Sequence, residues 1–238
     1  MRESTATTRC VVAAIVAAVF VLPAAVWAAD GATDADAGGG ATYYEPAAAD
    51  GQISLKVASG AWVGRATRLT GAADELAGRY VAIEARRSAR DDWNGVASAR
   101  VGDDGRFATT WKPSSAGRRQ LRAVSASASS AGANARAASA AERVTVYRGL
   151  VASWYGPGFY GNRTACGGRL TTETLGVAHR TLPCGARVAL RYRGRSIVVH
   201  VIDRGPYARG VTYDLTSATA SRLGVTETRR IGAAVLSR

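Results

Sequence analysis

Histidine is nearly missing from this chain of 238 residues: His179 and His200 are the only two. Metal centres built on imidazole therefore have little to work with, and no Cys, Asp or Glu set at ligand spacing accompanies either one. No metal and no cofactor is expected. Lysine is equally scarce, with Lys56 and Lys112 alone, so the formal net charge of +13 is carried by arginine. Cysteine is down to Cys10, Cys166 and Cys184, too few for a thiolate cluster. Long apolar runs are missing too, with one exception at the N-terminus.

That exception starts after Arg2 and Arg9, where residues 10–26 form an almost unbroken apolar stretch without charge. It is near the short end of spanning length, so a single membrane anchor is one reading. Ala and Asp follow it, however, where a stop-transfer segment would carry basic residues, and Val26-Trp27-Ala28 supplies a cleavage site. A signal peptide over residues 1–28 is predicted. The protein is then secreted, extracellular or wall-associated, without a stable membrane anchor after cleavage, and is expected to be a monomer. Cys10 precedes the apolar run and does not fit a lipid-anchored cysteine. Export leaves Cys166 and Cys184 as an even pair in an oxidising space, which reads as a disulfide. A lone nucleophilic thiol would be oxidised there. Export also argues against nucleic acid as the partner of the positive charge; anionic wall polymers are the polyanions at hand. An Arg- and Ala-rich composition bias would explain the same charge.

Residues 29–50 are rich in Ala, Gly and Asp and bury too little to offset chain entropy, so a flexible acidic linker is expected. From residue 51 to 148 short alternating runs are separated by turns, as in Ile53-Ser54-Leu55-Lys56-Val57 and Tyr80-Val81-Ala82-Ile83-Glu84-Ala85. Asp103-Asp104-Gly105 between two such runs predicts a hairpin. The pattern predicts an immunoglobulin-like β-sandwich serving as spacer or binding domain. Residues 149–238 predict a small closed barrel with one short helix. Residues 196–202 read as a strand buried on both faces, with His200 in a buried structural role. Asp214 is expected to cap a helix over 215–223 that Gly224 stops.

Asp203 ends that apolar strand and is followed at once by the turn Arg204-Gly205-Pro206. A carboxyl beside low-dielectric surface suits a general acid. A turn-forming Asp, or an ion pair with Arg204, fits the same spacing. Trp154, Tyr155, Phe159 and Tyr160 crowd a glycine-rich opening segment, and Tyr207 follows the Asp203 turn. Flat rings on a loop stack on sugar faces; core packing is the plainer role for Trp154 and Phe159.

Five segments in order then carry a resemblance. They are Ala152-Ser153-Trp154-Tyr155-Gly156, Gly161-Asn162-Arg163-Thr164-Ala165, Ala178-His179-Arg180-Thr181-Leu182-Pro183, Asp203-Arg204-Gly205-Pro206 and Asp214-Leu215. Over about residues 149–238 the chain resembles the rare lipoprotein A (RlpA) family, related to expansins. The resemblance implies a mainly β protein whose C-terminal part is a six-stranded double-psi β-barrel. It implies peptidoglycan glycan strands as substrate and lytic transglycosylase activity, cleaving between N-acetylmuramic acid and N-acetylglucosamine to 1,6-anhydro products. The family's catalytic aspartate and histidine fall on Asp203 and His179. Trp154, Tyr155, Tyr160, Thr164, Tyr207 and Asp214 are expected to meet substrate. The family's usual glutamate position is Gly168, and Cys166 and Cys184 stand where the family has Asn and an aromatic. The alternative is a non-catalytic, expansin-like wall-binding or wall-loosening module. Small barrels also host secreted protease inhibitors and toxin-like effectors.

Overall fold

Side-chain alternation at period two sets most of the strands. The computed structural model describes residues 53–126 and 137–237. The predicted signal peptide (1–28) and linker (29–50) lie outside them. Three strands form one sheet, in the order β1 (Lys56–Val57), β3 (Thr67–Ala72), β6 (Arg106–Trp111). A second sheet takes β2 (Gly60–Trp62), β4 (Tyr80–Arg86), β5 (Asn94–Arg100), β7 (Gly117–Ser125) and the first half of β8 (Glu142–Tyr155). Leu69, Phe107 and Trp111 from one sheet share a core with Val81, Ile83, Leu121, Val144 and Val146 from the other.

The hairpin expected at Asp103-Asp104-Gly105 is a turn between sheets. Gly102 N–H donates to Arg106 O at 2.8 Å, and Gly105 takes the left-handed φ of +72° that such a turn requires. But β5 pairs with β4 while β6 pairs with β3. Crossing over is what lets Phe107 and Trp111 face the shared core.

β8 is a single strand of 14 residues that serves both halves of the molecule. Its beginning pairs with β7 and β2; from Arg148 onward it pairs with β13 (Arg229–Ser237) and β12 (Tyr213–Thr216). The boundary read between residues 148 and 149 therefore falls inside a continuous strand. The ring runs β8, β12, β9 (Val177–Ala178), β11 (Arg195–Asp203), β10 (Arg187–Tyr192), β13 and back to β8, so six strands close it. Two of the pairings, β12 with β8 and β11 with β9, are parallel.

Closure corrects the reading of residues 196–202. In a small barrel only one face of a strand meets the core. Val199 and Val201 point in; Val198 is 44 % exposed and His200 is also exposed, so His200 is not a buried structural residue. The helix α1 (Ser217–Leu223) is capped by Thr216 rather than Asp214. Thr216 Oγ1 accepts from Thr219 N–H, a contact worth about 1 kcal/mol at a helix start. Gly224 ends the helix at φ +75°, as predicted. β12 runs to Thr216, and this keeps Asp214 on a strand.

The two halves meet where Trp62 and Tyr147 pack on Ala189 and Ala234. Gly232 leaves no room there: a Cβ would sit 2.6 Å from the Trp62 ring. Gly232→Ala is expected to cost about 1–3 kcal/mol through overpacking. At about 2–4 °C per kcal/mol, calorimetry should record a fall in Tm of several degrees.

Candidate active site

Residues that pair across a sheet share a face. Ala178 on β9 is in register with Asp203 on one side and Asp214 on the other, and Asp214 is in register with Ser153 on β8. The β11–β9 register shifts by one residue between Val201 and Asp203, and this bulge turns Asp203 from the side of the buried Val201 to that of Asp214, Ser153 and Tyr155. The residue between the two aspartates in this pairing is Ala178, with only a methyl side chain, and the two carboxyls feel each other's charge. Tyr155, two residues beyond Ser153, completes the face.

Asp203 accepts three hydrogen bonds. Ala165 N–H and Arg204 N–H reach Oδ1, both at 2.8 Å, and Tyr155 Oη–H reaches Oδ2 at 3.3 Å. The guanidinium of Arg204 does not pair with this carboxylate; it turns to His179 O, Asp203 O and Cys184 Sγ. Ala165 belongs to the loop between β8 and β9, and that loop is fastened next door. Cys166 is bonded to Cys184, and Cys166 N–H donates to Ile202 O at 3.1 Å. The disulfide thus holds an Asp203 donor in place.

Asp214 is half-buried and accepts from Ser153 Oγ–H at 2.8 Å. Burial raises its pKa above the ordinary carboxylate value. The Ser153 hydrogen bond opposes the rise, and the charge of Asp203 adds to it. Burial, then Asp203, also pushes the Tyr155 phenol up, so Tyr155 remains a neutral donor. His179 is pulled down, by burial first and then by Arg204 and Arg180. Its Nδ1 accepts from Thr181 N–H at 3.1 Å and Leu182 N–H at 3.0 Å, which leaves the proton on Nε2. The ring leans on Tyr213, 4.8 Å away between centroids, and His179 N–H donates to Asp203 O. Burial pushes the Tyr213 hydroxyl up to about 12.

The remaining predicted residues divide. Tyr155 is on the carboxylate face. Tyr160 is exposed at the same end and its hydroxyl meets Ser217 Oγ at 2.7 Å. Tyr207, 81 % exposed, stands beyond the Asp203 turn. Strand alternation sets Trp154 on the other side of β8 from Tyr155, with its indole N–H on Thr226 O. Thr164 is buried and its hydroxyl donates to Gly167 O, closing a turn. Gly168 has φ +79° and bears no carboxyl in this loop. Glu173 is exposed, and its main-chain N–H bonds Thr171 Oγ1. Sequence reasoning did not find Ser153 and Arg180. Period two along β8 gives the signal for Ser153, since it shares a face with Tyr155. Arg180 donates to Pro206 O and Ala208 O and so braces the Asp203 turn; its sequence carries no sign of that. No group of His, Cys, Asp and Glu suited to a metal occurs among the described residues.

Residues 147–235 match the family model described as lytic transglycolase. Three relatives match over the same region. A probable endolytic peptidoglycan transglycosylase RlpA of Synechocystis is 46 % identical over 88 residues, 36 % of this chain and 27 % of that protein. One from Aquifex aeolicus is 45 % identical over 31 % of this chain and 34 % of its own length. The endolytic peptidoglycan transglycosylase RlpA of Campylobacter jejuni is 39 % identical over 31 % of this chain and 27 % of its own length. Among solved structures, the Streptomyces papain inhibitor aligns at 24 % identity with a TM-score of 0.32, over 38 % of this chain and 94 % of that one. The matched region is thus an RlpA-like double-psi β-barrel domain, in agreement with the closed ring of strands. The chain spans only about a quarter to a third of the length of these RlpA relatives (27 % to 34 %).

Two outcomes follow from this geometry. The Asp214 carboxyl, followed by carbon-detected NMR, should titrate above an ordinary Asp. Ser153→Ala should move it further up by deleting the opposing hydrogen bond, and Asp203→Asn should move it down by deleting a like charge. The Cys166→Ser/Cys184→Ser variant should lose roughly 3 kcal/mol, as for a loop of this size. Its Ala165 amide should also lose protection in hydrogen exchange while the amides of β10 keep theirs.

Proposed function

We propose that this protein acts outside the cytoplasm on peptidoglycan glycan strands as a lytic transglycosylase, with Asp203 and Asp214 as its acid/base pair. The observation that carries this reading is the row across β11, β9 and β12, which gathers two carboxyls on one face and gives one of them a raised pKa. The names of the relatives supply the substrate class.

The chemistry follows from the difference between the two carboxyls. Asp214, whose pKa is raised by burial and by the charge of Asp203, acts as the donor and passes a proton to the glycosidic oxygen between N-acetylmuramic acid and N-acetylglucosamine. The C1–O bond breaks and its electron pair stays on that oxygen. The 6-hydroxyl of the same muramic residue then closes on C1, and its proton passes to Asp203. One C–O bond is lost and one is made, water is not consumed, and proton return from Asp203 to Asp214 restores the pair. Asp203 thus shares with Asp214 the acid/base work that the resemblance placed on Asp203 with His179. A bound sugar displaces water from this face and pushes Asp214 further up. His179, with Nδ1 committed to two main-chain donors, offers substrate only its Nε2–H. Tyr155, Tyr160 and Tyr207 give rings and hydroxyls along the same end.

The same reading takes residues 1–28 as the export signal and 51–148 as an immunoglobulin-like spacer or docking domain for the barrel of 149–238. It also allows anionic wall polymers as secondary partners. Gly168 favours a second reading, a non-catalytic expansin-like module that holds glycan without cutting it.

Digestion of purified sacculi, with mass spectrometry of the released fragments, separates the two. Release of 1,6-anhydromuropeptides by the wild type is expected, falling about 10²-fold or more in Asp203→Asn and in Asp214→Asn. The rate should decline as pH rises through the elevated Asp214 pKa, because the donor is then lost. Equal product from wild type and variants would remove the pair from the mechanism. Binding to sacculi with no fragment released would establish the second reading.

A further inference from the structure

The N-terminal half carries a cleft of about 530 Å3, far from the carboxylate row, between the end of β4, the start of β5 and the connection from β6 to β7. Its walls hold four cations, Arg86, Arg87, Lys112 and Arg119, against two acids, Asp91 and Asp92. Arg119 is only 8 % exposed, and its guanidinium donates to Arg118 O, Ser115 O and Ser115 Oγ. All three acceptors are neutral. A guanidinium buried on neutral acceptors keeps its field in the cleft, where no carboxylate bonded to it cancels the charge. Asp91 is occupied elsewhere, since its Oδ2 accepts from Ser88 N–H at 2.7 Å and Ser88 Oγ–H at 2.9 Å. Arg87 and Lys112 are exposed, and neither has a hydrogen bond or ion pair to another described residue.

The cations are also held ready. Arg86 lies over Trp93 at 4.3 Å and donates to Gln120 Oε1 at 2.8 Å. Burial, followed by the nearby charge of Arg87, pulls the Arg119 pKa down, with Asp91 opposing. Like charges are thus gathered at some cost, and an anion seated between them relieves it. Guanidinium forks match the paired oxygens of phosphate and carboxylate.

We propose that this cleft is a binding site for an oxyanion-bearing chain, a wall polyanion whose phosphates or carboxylates are gripped by Arg87, Lys112 and Arg119. An open cleft, exposed along Arg87, Asp92, Asn94 and Lys112, lets a chain pass where a closed pocket would take only a small ion. The inference rests on the wall setting proposed above but not on the chemistry at Asp203 and Asp214. Without such a site, the +13 charge would attract polyanions diffusely over the whole surface.

Titration calorimetry of the purified protein, at an ionic strength of about 0.15 M where diffuse attraction is largely screened, tests it. The probes are poly(glycerol phosphate), polygalacturonate, inorganic phosphate and neutral dextran. One polyanion should bind, and the preferred one tells phosphodiester from carboxylate. Arg87→Ala/Lys112→Ala should weaken it about tenfold or more. Arg100→Ala/Arg106→Ala removes the same charge from exposed sites at the far ends of β5 and β6. It should leave binding within about twofold, as expected for remote charges under screening. Equal loss in both double variants would overturn the site, as would no polyanion binding, or inorganic phosphate binding as tightly as the polymer. Sacculus digestion by the Arg87→Ala/Lys112→Ala protein, run in parallel, reports on the carboxylate pair separately.

Discussion

The register at Ala178 is the constraint on which the candidate site depends. β9 is two residues long, yet it pairs with β11 on one edge and β12 on the other. That double pairing sets Asp203 and Asp214 on the same face, and the parallel β12–β8 contact adds Ser153 to them. A one-residue shift between Val201 and Asp203 is what turns the Asp203 side chain to that face, since alternation alone would leave it with Val201. The shift is confined to the strand end: Val201 stays paired with Val177, and both are fully buried with Leu215, so the barrel interior keeps its register. Core packing therefore holds the carboxyls together, and the site inherits the rigidity of the core.

Two aspartates with the same chemistry are separated in character by what surrounds them. Asp203 is fixed by two main-chain N–H groups and a tyrosine hydroxyl. Asp214 has one serine and half-burial, and feels its neighbour's charge. Without Asp203, part of the rise in Asp214 would vanish; without Ser153, the rise would go unopposed. The charge of Asp203 therefore belongs to any description of Asp214. The loop carrying Gly168 contributes differently from a glutamate-bearing loop. It offers the Ala165 N–H, and the disulfide at Cys166 fixes where that donor points.

Local pattern made part of the fold legible: alternation located β4, and Gly224 marked the end of the helix. The five ordered segments made the barrel legible, and the pair Cys166 and Cys184 left after the predicted signal peptide made the disulfide so. Pairing was less accessible. The Asp103-Asp104-Gly105 turn looks like any hairpin, because nothing local tells a strand which sheet to join. Residues 196–202 look doubly buried, because periodicity does not say that the sheet closes on itself. The partnership of Asp203 with Asp214 was hidden for a related reason. It arises through β9, which lies far from both in sequence and is too short to show a period of its own. Asp214 itself looked like a cap, since Asp before a helix usually is one; Thr216, two residues on, took that role when β12 extended.

The arginine-dominated charge divides by what each guanidinium touches. Near the candidate active site the cations are spent on the main chain: Arg180 on Pro206 O and Ala208 O, Arg204 on His179 O and Asp203 O. They brace the turns that carry Asp203, and they also hold down the His179 pKa. In the N-terminal cleft the cations are divided, with Arg86 and Arg119 hydrogen-bonded. Arg119 is buried on neutral acceptors and Arg87 and Lys112 are uncommitted. Lys112 is one of only two lysines in a chain that otherwise uses arginine for positive charge. A composition bias explains why there are many arginines, but not why one of them, Arg119, is buried on neutral acceptors. In the two proposals above, the bracing of the turns serves proton transfer at the carboxyls and the exposed Arg87 and Lys112 serve anion binding in the cleft.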